Sequence, residues 1–295
     1  MSAALTTQGG AACPACGARA RARIELDDFR LFGCDACGCW SSDAAARGAR
    51  TSFEPDAYFA NADADLGRWE DLLRRTAAEG AAPRRLLDVG CGRGAFLRFT
   101  ARREPGSVRA GIEPDAERAR DARDADPAAT IAVGTVAAAL GGLPGPFDLI
   151  TLWDVFEHLE DPGAALAALG GRLAPGGLLF VQTIHENSVV PRLARALHAA
   201  TAGRWSGPAR RTHEPHHLVF FSRRGLRTLA DRAGLRIRAQ WFDRLARTRM
   251  DGHPALTAAT AALLAAEVAL GGGLFVNLLL ERAPREARPA EPARG

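Results

Sequence analysis

The stretch LLDVGCGRGAF, residues 86–96, decides the fold of this chain. An apolar run ends at an aspartate, and glycines then occupy every second position, at Gly90, Gly92 and Gly94. Because glycine has no side chain, the backbone of this turn can approach a ligand closely, and Asp88 can accept hydrogen bonds from it. The same letters also satisfy the GxGxxG/A pattern of dinucleotide-binding proteins. The turn by itself therefore leaves two adenosine-type ligands open.

The segments around this turn predict alternating strands and helices. Apolar runs predict strands at 85–89, 108–113, 129–133, 147–153 and 178–183, and helices fit at 66–79, 94–103, 115–123 and 162–172. The pattern becomes irregular through a histidine-rich segment, 185–222. A helix at 223–233, a strand at 235–242, a helix at 255–270 and a strand at 274–281 complete it. The alternation predicts an α/β fold with a parallel sheet covered by helices.

Composition and charge restrict the partners of the chain. The chain has 295 residues and a net charge of +4, and all of its basic residues are arginines, since the sequence contains no lysine. We interpret this as a compositional bias, so the basic pI does not predict a nucleic-acid partner. The N-terminus has no secretory signal pattern, and the cysteine usage is typical of a reducing compartment. We therefore expect a cytoplasmic protein.

The apolar stretch 255–280 has the length of a membrane span. Glu267, Asn277 and the glycines 271–273 interrupt it, so the sequence predicts a helix, a turn and a strand rather than a transmembrane segment. The helix at 255–270 is expected in the core, on a membrane surface or against a partner chain, and a homodimer remains open.

Four of the six cysteines form two CxxC pairs, each followed by glycine. Cys13 and Cys16 are separated from Cys34 and Cys37 by seventeen residues. This spacing is typical of a structural, four-thiolate zinc site, in which the metal holds together a segment too short to fold alone. We therefore predict a zinc ribbon at 13–40, with disordered residues at 1–12, a linker at 41–61, a main domain at 62–282 and a disordered tail at 283–295.

The motifs downstream of the glycine turn separate the two ligand classes. GIEPD (111–115), FDLITLWDVFEHLEDP (147–162), LAPGGLLFVQT (173–183) and HHLVFFSRRGLRTLADRAGL (216–235) follow it in order. With these motifs the chain resembles the class I S-adenosylmethionine (SAM)-dependent methyltransferases, in particular the small-molecule group that includes the ubiquinone-type O-methyltransferases. The resemblance covers about residues 56–282 and favours SAM over NAD.

The resemblance implies a Rossmann-like, seven-stranded sheet with helices on both faces and an antiparallel last strand. It also implies a cofactor site. Asp88, Gly90, Gly92 and Gly94 would line the methionine and ribose side of SAM, Glu113 would hold the ribose, the loop at Thr135 would flank adenine, and Asp154 would lie near the sulfonium and the substrate.

Histidines are the candidate catalytic residues, because imidazole is the natural base near neutral pH. His158 lies after the predicted fourth strand. The cluster of His213, His216 and His217 lies where relatives build a substrate lid, and His217 is the first choice. A structural role remains open for each, and His158 could also join Asp154 and Glu157 around a divalent ion, as in some ubiquinone-type relatives.

The sequence thus predicts an enzyme that transfers a methyl group from SAM to a small molecule in biosynthesis, at oxygen rather than nitrogen or carbon. No NPPY-like tetrapeptide follows the fourth strand, which argues against adenine or cytosine N-methylation. The alternatives are an rRNA or tRNA methyltransferase and a non-catalytic SAM-binding partner protein.

Overall fold

A computed structural model describes residues 10–48, 65–80, 82–243 and 254–284, without the side chains of 254–257 and 259. The strands in these ranges are β1 (Ala11–Ala12), β2 (Arg19–Glu25), β3 (Arg30–Gly33), β4 (Trp40–Ser42), β5 (Arg85–Val89), β6 (Val108–Glu113), β7 (Thr130–Val133), β8 (Phe147–Trp153), β9 (Leu173–Ile184), β10 (Val219–Phe220), β11 (Leu235–Asp243) and β12 (Phe275–Arg282). The helices are α1 (Ala44–Arg47), α2 (Leu66–Ala78), α3 (Ala95–Arg103), α4 (Ala116–Ala125), α5 (Val136–Ala139), α6 (Pro162–Gly171), α7 (Val189–Ala200), α8 (Gly207–Thr212), α9 (Arg223–Arg232) and α10 (Pro254–Ala269).

Seven strands form the large sheet, in the order β11-β12-β9-β8-β5-β6-β7. The pairs from β9 to β7 are parallel, and β12 runs antiparallel to both β9 and β11. The predicted Rossmann-like fold with an antiparallel last strand is therefore confirmed.

Both faces of the large sheet are buried. On β5 the neighbouring residues Leu86 and Leu87 point into two different apolar clusters because successive side chains of a strand face opposite sides. Trp69 of α2 and Phe96 of α3 pack in the cluster of Leu86. Leucines of α6 and α9 pack in the cluster of Leu87. A strand buried on both faces explains why β5 is a nearly continuous apolar run.

Two segments of the large domain differ clearly from the sequence prediction. LAPGG was expected to be a loop before the fifth strand, but β9 already begins at Leu173, which pairs with Phe147 before a register shift in the β8–β9 ladder. Gly177 permits this irregular pairing, since a Cβ there would lie 2.7 Å from the carbonyl oxygen of Phe147. The segment 185–222, expected to be irregular, contains α7, α8 and β10.

A second sheet, in the order β1-β2-β3-β4-β10, joins the cysteine-rich segment to the large domain. β10 pairs antiparallel with β4, and Val219 lies opposite Ser41. Ser41 and Ser42, predicted to begin a linker, therefore belong to a strand, because β10 supplies the partner that their backbone needs. Ala11 and Ala12, predicted to be disordered, form β1 against β2. The predicted linker beyond residue 48 and the tail beyond residue 284 lie outside the described residues.

The helix expected at 255–270 is α10, which spans 16 residues. Within the described parts of the chain, no helix has both the length and the apolar character needed to cross a membrane. The glycines after the helix end it before the strand β12, as the sequence predicts.

Candidate functional site

A cavity of about 790 Å³ opens at the carboxyl ends of β5, β6, β7 and β8. One side, here called the glycine wall, is formed by Gly90, Gly92, Glu113 and Thr135 with their neighbours. A second part of the lining, here called the histidine wall, is formed by Asp154, His158, His216 and His217. In open α/β sheets ligands bind in such a crevice outside the strand ends.

The glycines of the predicted turn all adopt positive φ angles, which L-residues with side chains rarely adopt. At Gly90 φ is +69°, and a Cβ there would overlap Cγ2 of Val155 from the loop after β8. Gly94 lies beside the cavity rather than in its lining, and it begins α3. A Cβ at Gly94 would lie 3.0 Å from Cα of Ala122, so this glycine lets α3 approach α4 closely.

Glu113, at the end of β6, braces the glycine turn. It is 3% exposed, and its Oε2 accepts a hydrogen bond of 2.9 Å from the backbone N–H of Gly92. Its Oε1 accepts a hydrogen bond of 3.0 Å from the N–H of Asp115. Each carboxylate oxygen has a second lone pair. The side chain can therefore hold the turn and also accept a hydrogen bond from a ligand in the cavity.

Asp88 lies beneath the turn and does not line the cavity. Its Oδ1 accepts a hydrogen bond of 2.8 Å from the Thr151 hydroxyl of the neighbouring strand. Burial raises the pKa of Asp88 to about 7, and the nearby charge of Glu113 adds to the increase. Direct contact between Asp88 and a ligand stays a prediction from the sequence.

The loop after β7 forms the far end of the glycine wall. Gly134, Thr135 and Val136 all line the cavity, where the resemblance implies adenine. The N–H of Gly134 donates to the carbonyl oxygen of Glu113, which holds this loop against the end of β6. Thr135 supplies the only hydroxyl group among these three side chains.

Asp154, on the histidine wall, has an unusual backbone conformation. It is one of two described non-glycine residues with positive φ, at 52°, and it lines the cavity directly after β8. Such backbone conformations are strained and are concentrated at functional sites. Glu157 behaves differently, because its Oε2 accepts a hydrogen bond of 2.8 Å from Thr183 and it does not line the cavity. Burial and the charge of Asp154 raise the pKa of Glu157 to about 8.

Three imidazoles meet on the histidine wall. The ring centroids of His158 lie 5.2 Å from His216 and 4.9 Å from His217, and those of His216 and His217 are 4.1 Å apart. Burial lowers the pKa of His158 and, together with the charge of His158, lowers that of His216 to about 4. Burial and the neighbouring imidazoles also hold the pKa of His217 well below its usual range. All three rings are therefore neutral at pH 7, with a nitrogen lone pair each.

His213, from the same histidine-rich segment, does not join this group. It is fully buried, with Nδ1 2.9 Å from the carbonyl oxygen of Ala209 and Nε2 3.2 Å from Glu186. Burial lowers its pKa to about 4. Its contacts explain it as a structural residue of the segment that carries His216 and His217.

The four cysteines of the two CxxC pairs converge, and their Sγ atoms all lie within 4.8 Å of one another. Sγ of Cys13 is 3.6 Å from Sγ of Cys37, and Sγ of Cys16 is 3.5 Å from Sγ of Cys34. A zinc ion with metal–sulfur bonds of about 2.3 Å holds its sulfurs about 3.8 Å apart. The cluster therefore fits a tetrahedral metal ion.

The cysteine-rich sheet contacts the segment that carries His216 and His217. The N–H of Ser42 donates to the carbonyl oxygen of Leu218, and the hydroxyl of Ser222 donates to the carbonyl oxygen of Cys37. Asp28 of the cysteine-rich segment also forms an ion pair with Arg210, which precedes the histidines in the chain. The CxxC spacing does not predict this docking, since it carries no information about where the ribbon lies. The feature of the sequence that could have indicated this docking is the apolar run VFF, which follows His217 and Leu218.

Sequence and structure comparisons place the chain among known proteins. The methyltransferase domain family matches residues 59–240. A ubiquinone biosynthesis O-methyltransferase of Pectobacterium carotovorum subsp. carotovorum (strain PC1) is 33% identical over 115 residues, which are 38% of this chain and 47% of that protein. One from Caulobacter sp. (strain K31) is 32% identical over 154 residues, 50% of this chain and 58% of that protein. The chain thus spans about half the length of the curated relatives it matches.

Among solved structures, the plantazolicin methyltransferase BamL, in complex with a triazolic desmethylPZN analog and SAH, has a TM-score of 0.53. The match covers 78% of this chain and 89% of the BamL chain, at 14% sequence identity. At this identity the similarity supports the fold only.

Proposed function

The chain belongs to the methyltransferase domain family, and from this premise we propose that it transfers a methyl group from SAM to a hydroxyl group of a small molecule. The observation that carries the proposal is that the glycine wall and the histidine wall line one and the same cavity. Methyl transfer requires this arrangement, because donor and acceptor must be aligned in line and shielded from water.

The glycine wall would bind the cofactor. The positive φ angles of Gly90 and Gly92 leave the cavity floor without side chains, so a ligand can lie directly on the backbone. Glu113 is buried at the end of β6 with a lone pair left on each oxygen, which suits the hydroxyls of a ribose. SAM, when bound, supplies a methyl group that its sulfonium already activates.

The histidine wall would bind the acceptor. His158, His216 and His217 bring neutral imidazoles to the same cavity, where they can orient a hydroxyl group or receive its proton. Asp154 lines the same cavity directly after β8, where we expect it to lie near both ligands. The apolar neighbours Trp153, Val155 and Leu159 reduce the access of water.

We further propose that the four-cysteine cluster holds a structural zinc ion. Zinc, when bound, supplies a tetrahedral cross-link between the two CxxC turns. The ribbon so formed would support the acceptor side, because β4 pairs with β10 directly after His216 and His217. None of the six cysteines, all of which lie in the described residues, forms a disulfide, and we propose a cytoplasmic location, where thiols stay reduced.

Calorimetry with SAM, S-adenosylhomocysteine (SAH) and NAD tests the cofactor assignment. We expect SAM and SAH to bind and NAD not to bind; tight NAD binding without SAM binding would overturn the proposal. Screening pools of small hydroxylated acceptors with SAM then separates the enzyme from a non-catalytic binding protein, which binds the cofactor without turnover. Binding of RNA that weakens steeply with salt would instead favour the RNA methyltransferase alternative.

A further inference from the structure

We propose that His158, His216 and His217 form a binding site for a divalent transition-metal ion, separate from the four-cysteine cluster. One ring nitrogen of each histidine lies within 4.8 Å of the other two. Zinc bound by imidazoles has metal–nitrogen bonds of about 2.0–2.1 Å, so tetrahedral ligand nitrogens lie about 3.4 Å apart. The three nitrogens would have to approach one another by at most about 1.4 Å to reach that separation. Three histidines with one open position are a known ligand set of catalytic zinc.

The orientation of His158 supports this assignment. Its Nδ1 lies 2.9 Å from the backbone carbonyl oxygen of His216. A carbonyl oxygen only accepts hydrogen bonds, so Nδ1 carries the hydrogen and Nε2 keeps its lone pair. Metal-binding histidines are typically anchored in this way, with the second ring nitrogen donating to a carbonyl or carboxylate. The same contact ties the loop after β8 to the segment that carries the other two histidines.

His217 supplies an independent observation. The residue is 9% exposed, and its Nδ1 is buried without a hydrogen-bond partner among the described residues. Buried polar atoms are nearly always satisfied, and each exception calls for an explanation such as an ion. A metal ion bound by the ring would hold the imidazole in place and reduce the cost of burying it between His158 and His216.

The donor set selects the class of ion. Glu157 is held by Thr183 outside the cavity lining, so an acidic site of Asp154, Glu157 and His158 is not assembled. Imidazole ligands favour zinc, cobalt, nickel or copper over magnesium and calcium. The remaining positions of the ion would face the cavity, where an acceptor oxygen could bind. That last role rests on the proposed function, whereas metal binding itself does not.

Metal analysis of the full-length protein, dialysed after saturation with zinc, tests the proposal. We expect two equivalents of zinc per chain. His216→Ala should retain one equivalent, with the second site weakened more than about 100-fold, because loss of even an outer partner costs about 10–100-fold. His216 is partly exposed, so this variant is expected to fold; His217→Gln provides a second test. The double variant Cys13→Ser, Cys16→Ser should lose only the equivalent of zinc that is bound by the cysteine cluster.

His198→Ala is the matched control, since His198 lies on α7 outside the cavity lining and should keep both ions. Cobalt substitution distinguishes the sites, because only the cysteine cluster gives thiolate-to-cobalt charge-transfer absorption, which His216→Ala should leave unchanged.

One equivalent of zinc in the wild-type protein, or two equivalents in both His216→Ala and His217→Gln, would refute the proposal. The competing role, in which one of these histidines is a general base, needs a single imidazole and no metal ion besides the one at the cysteine cluster. SAH calorimetry on the same samples reports separately on the proposed function.

Discussion

The glycine wall comes from three consecutive strand ends between residues 89 and 137, whereas the histidine wall joins His158 to residues 58 positions further along the chain. The first wall is built mostly from backbone in conformations that glycine permits. The second consists of side chains whose positions depend on the contacts of distant segments, including the ribbon. One wall therefore follows from a local motif, while the other depends on long-range docking.

Loss of the zinc ribbon is expected to have the largest effect, and to affect the histidine wall but not the glycine wall. Cys34→Ser removes one of four converging thiols, and structural zinc sites contribute about 10–16 kcal/mol in isolated zinc-finger peptides. We expect the ribbon to unfold, hydrogen exchange to increase in β10 and its histidine segment, and methyl transfer to be lost. Exchange at β5 and SAH affinity should change little.

Cys39→Ser is the control for this prediction, because Cys39 is equally buried but is not one of the clustered thiols. If Cys34→Ser abolished SAH binding as strongly as methyl transfer, the two walls would not be independent.

The glycine wall can be disrupted by a single methyl group. Gly90→Ala places a Cβ against Val155 and forces alanine into a left-handed backbone conformation, which costs about 1–3 kcal/mol before the overlap is counted. We expect SAH affinity to fall about tenfold or more in calorimetry while the ribbon keeps its metal. Gly142→Ala is the matched control, since a Cβ there has nothing within 4 Å. Equal effects of the two substitutions would contradict the assignment.

Glu113→Ala tests the charged part of the same wall. The substitution removes the acceptor of the Gly92 N–H and the expected acceptor for the ribose, so SAM binding should weaken by about 1–3 kcal/mol. Glu117→Ala, in the first turn of α4 and outside the cavity, should leave the affinity unchanged. Unchanged affinity in Glu113→Ala would remove this residue from the cofactor site.

An effect on pH dependence rather than on ligand affinity is expected from Asp88→Asn, measured as free energy of unfolding against pH without ligand. Because the pKa of Asp88 is raised to about 7, the folded protein keeps a proton that the unfolded chain releases near pH 4. Stability contributed by this group is therefore present at low pH and is lost as pH rises from about 4 to 7.

The slope from one such group is at most about 1.4 kcal/mol per pH unit. The asparagine variant should lose this contribution and keep the similar one from Glu157, whose pKa is raised to about 8. An identical slope in both proteins would show that Asp88 is not buried as a neutral acid. Measurements on Gly142→Ala should keep the slope, because that substitution removes no titratable group and a Cβ there has nothing within 4 Å.

Local patterns were sufficient for most of the fold. The strands β5, β6 and β8 begin and end where the sequence predicts, because each is an apolar run bounded by turn residues. Segments whose structure depends on a partner were missed: β1 and β4 form only where β2, β3 and β10 lie beside them. The sequence does not predict the start of β9, because a proline followed by two glycines is typical of a loop. The strand begins there because Leu173 pairs with Phe147 of β8.

The sequence alone determined the fold class, the glycine turn with Glu113 and the four-cysteine cluster, since each depends on residue types at short, regular spacings. Only the tertiary structure decided that His158, His216 and His217 meet while His213 and Glu157 do not. It also decided that the ribbon docks beside those histidines. The physical reason is that side-chain direction and docking follow from packing between segments far apart in the chain, which no local pattern encodes.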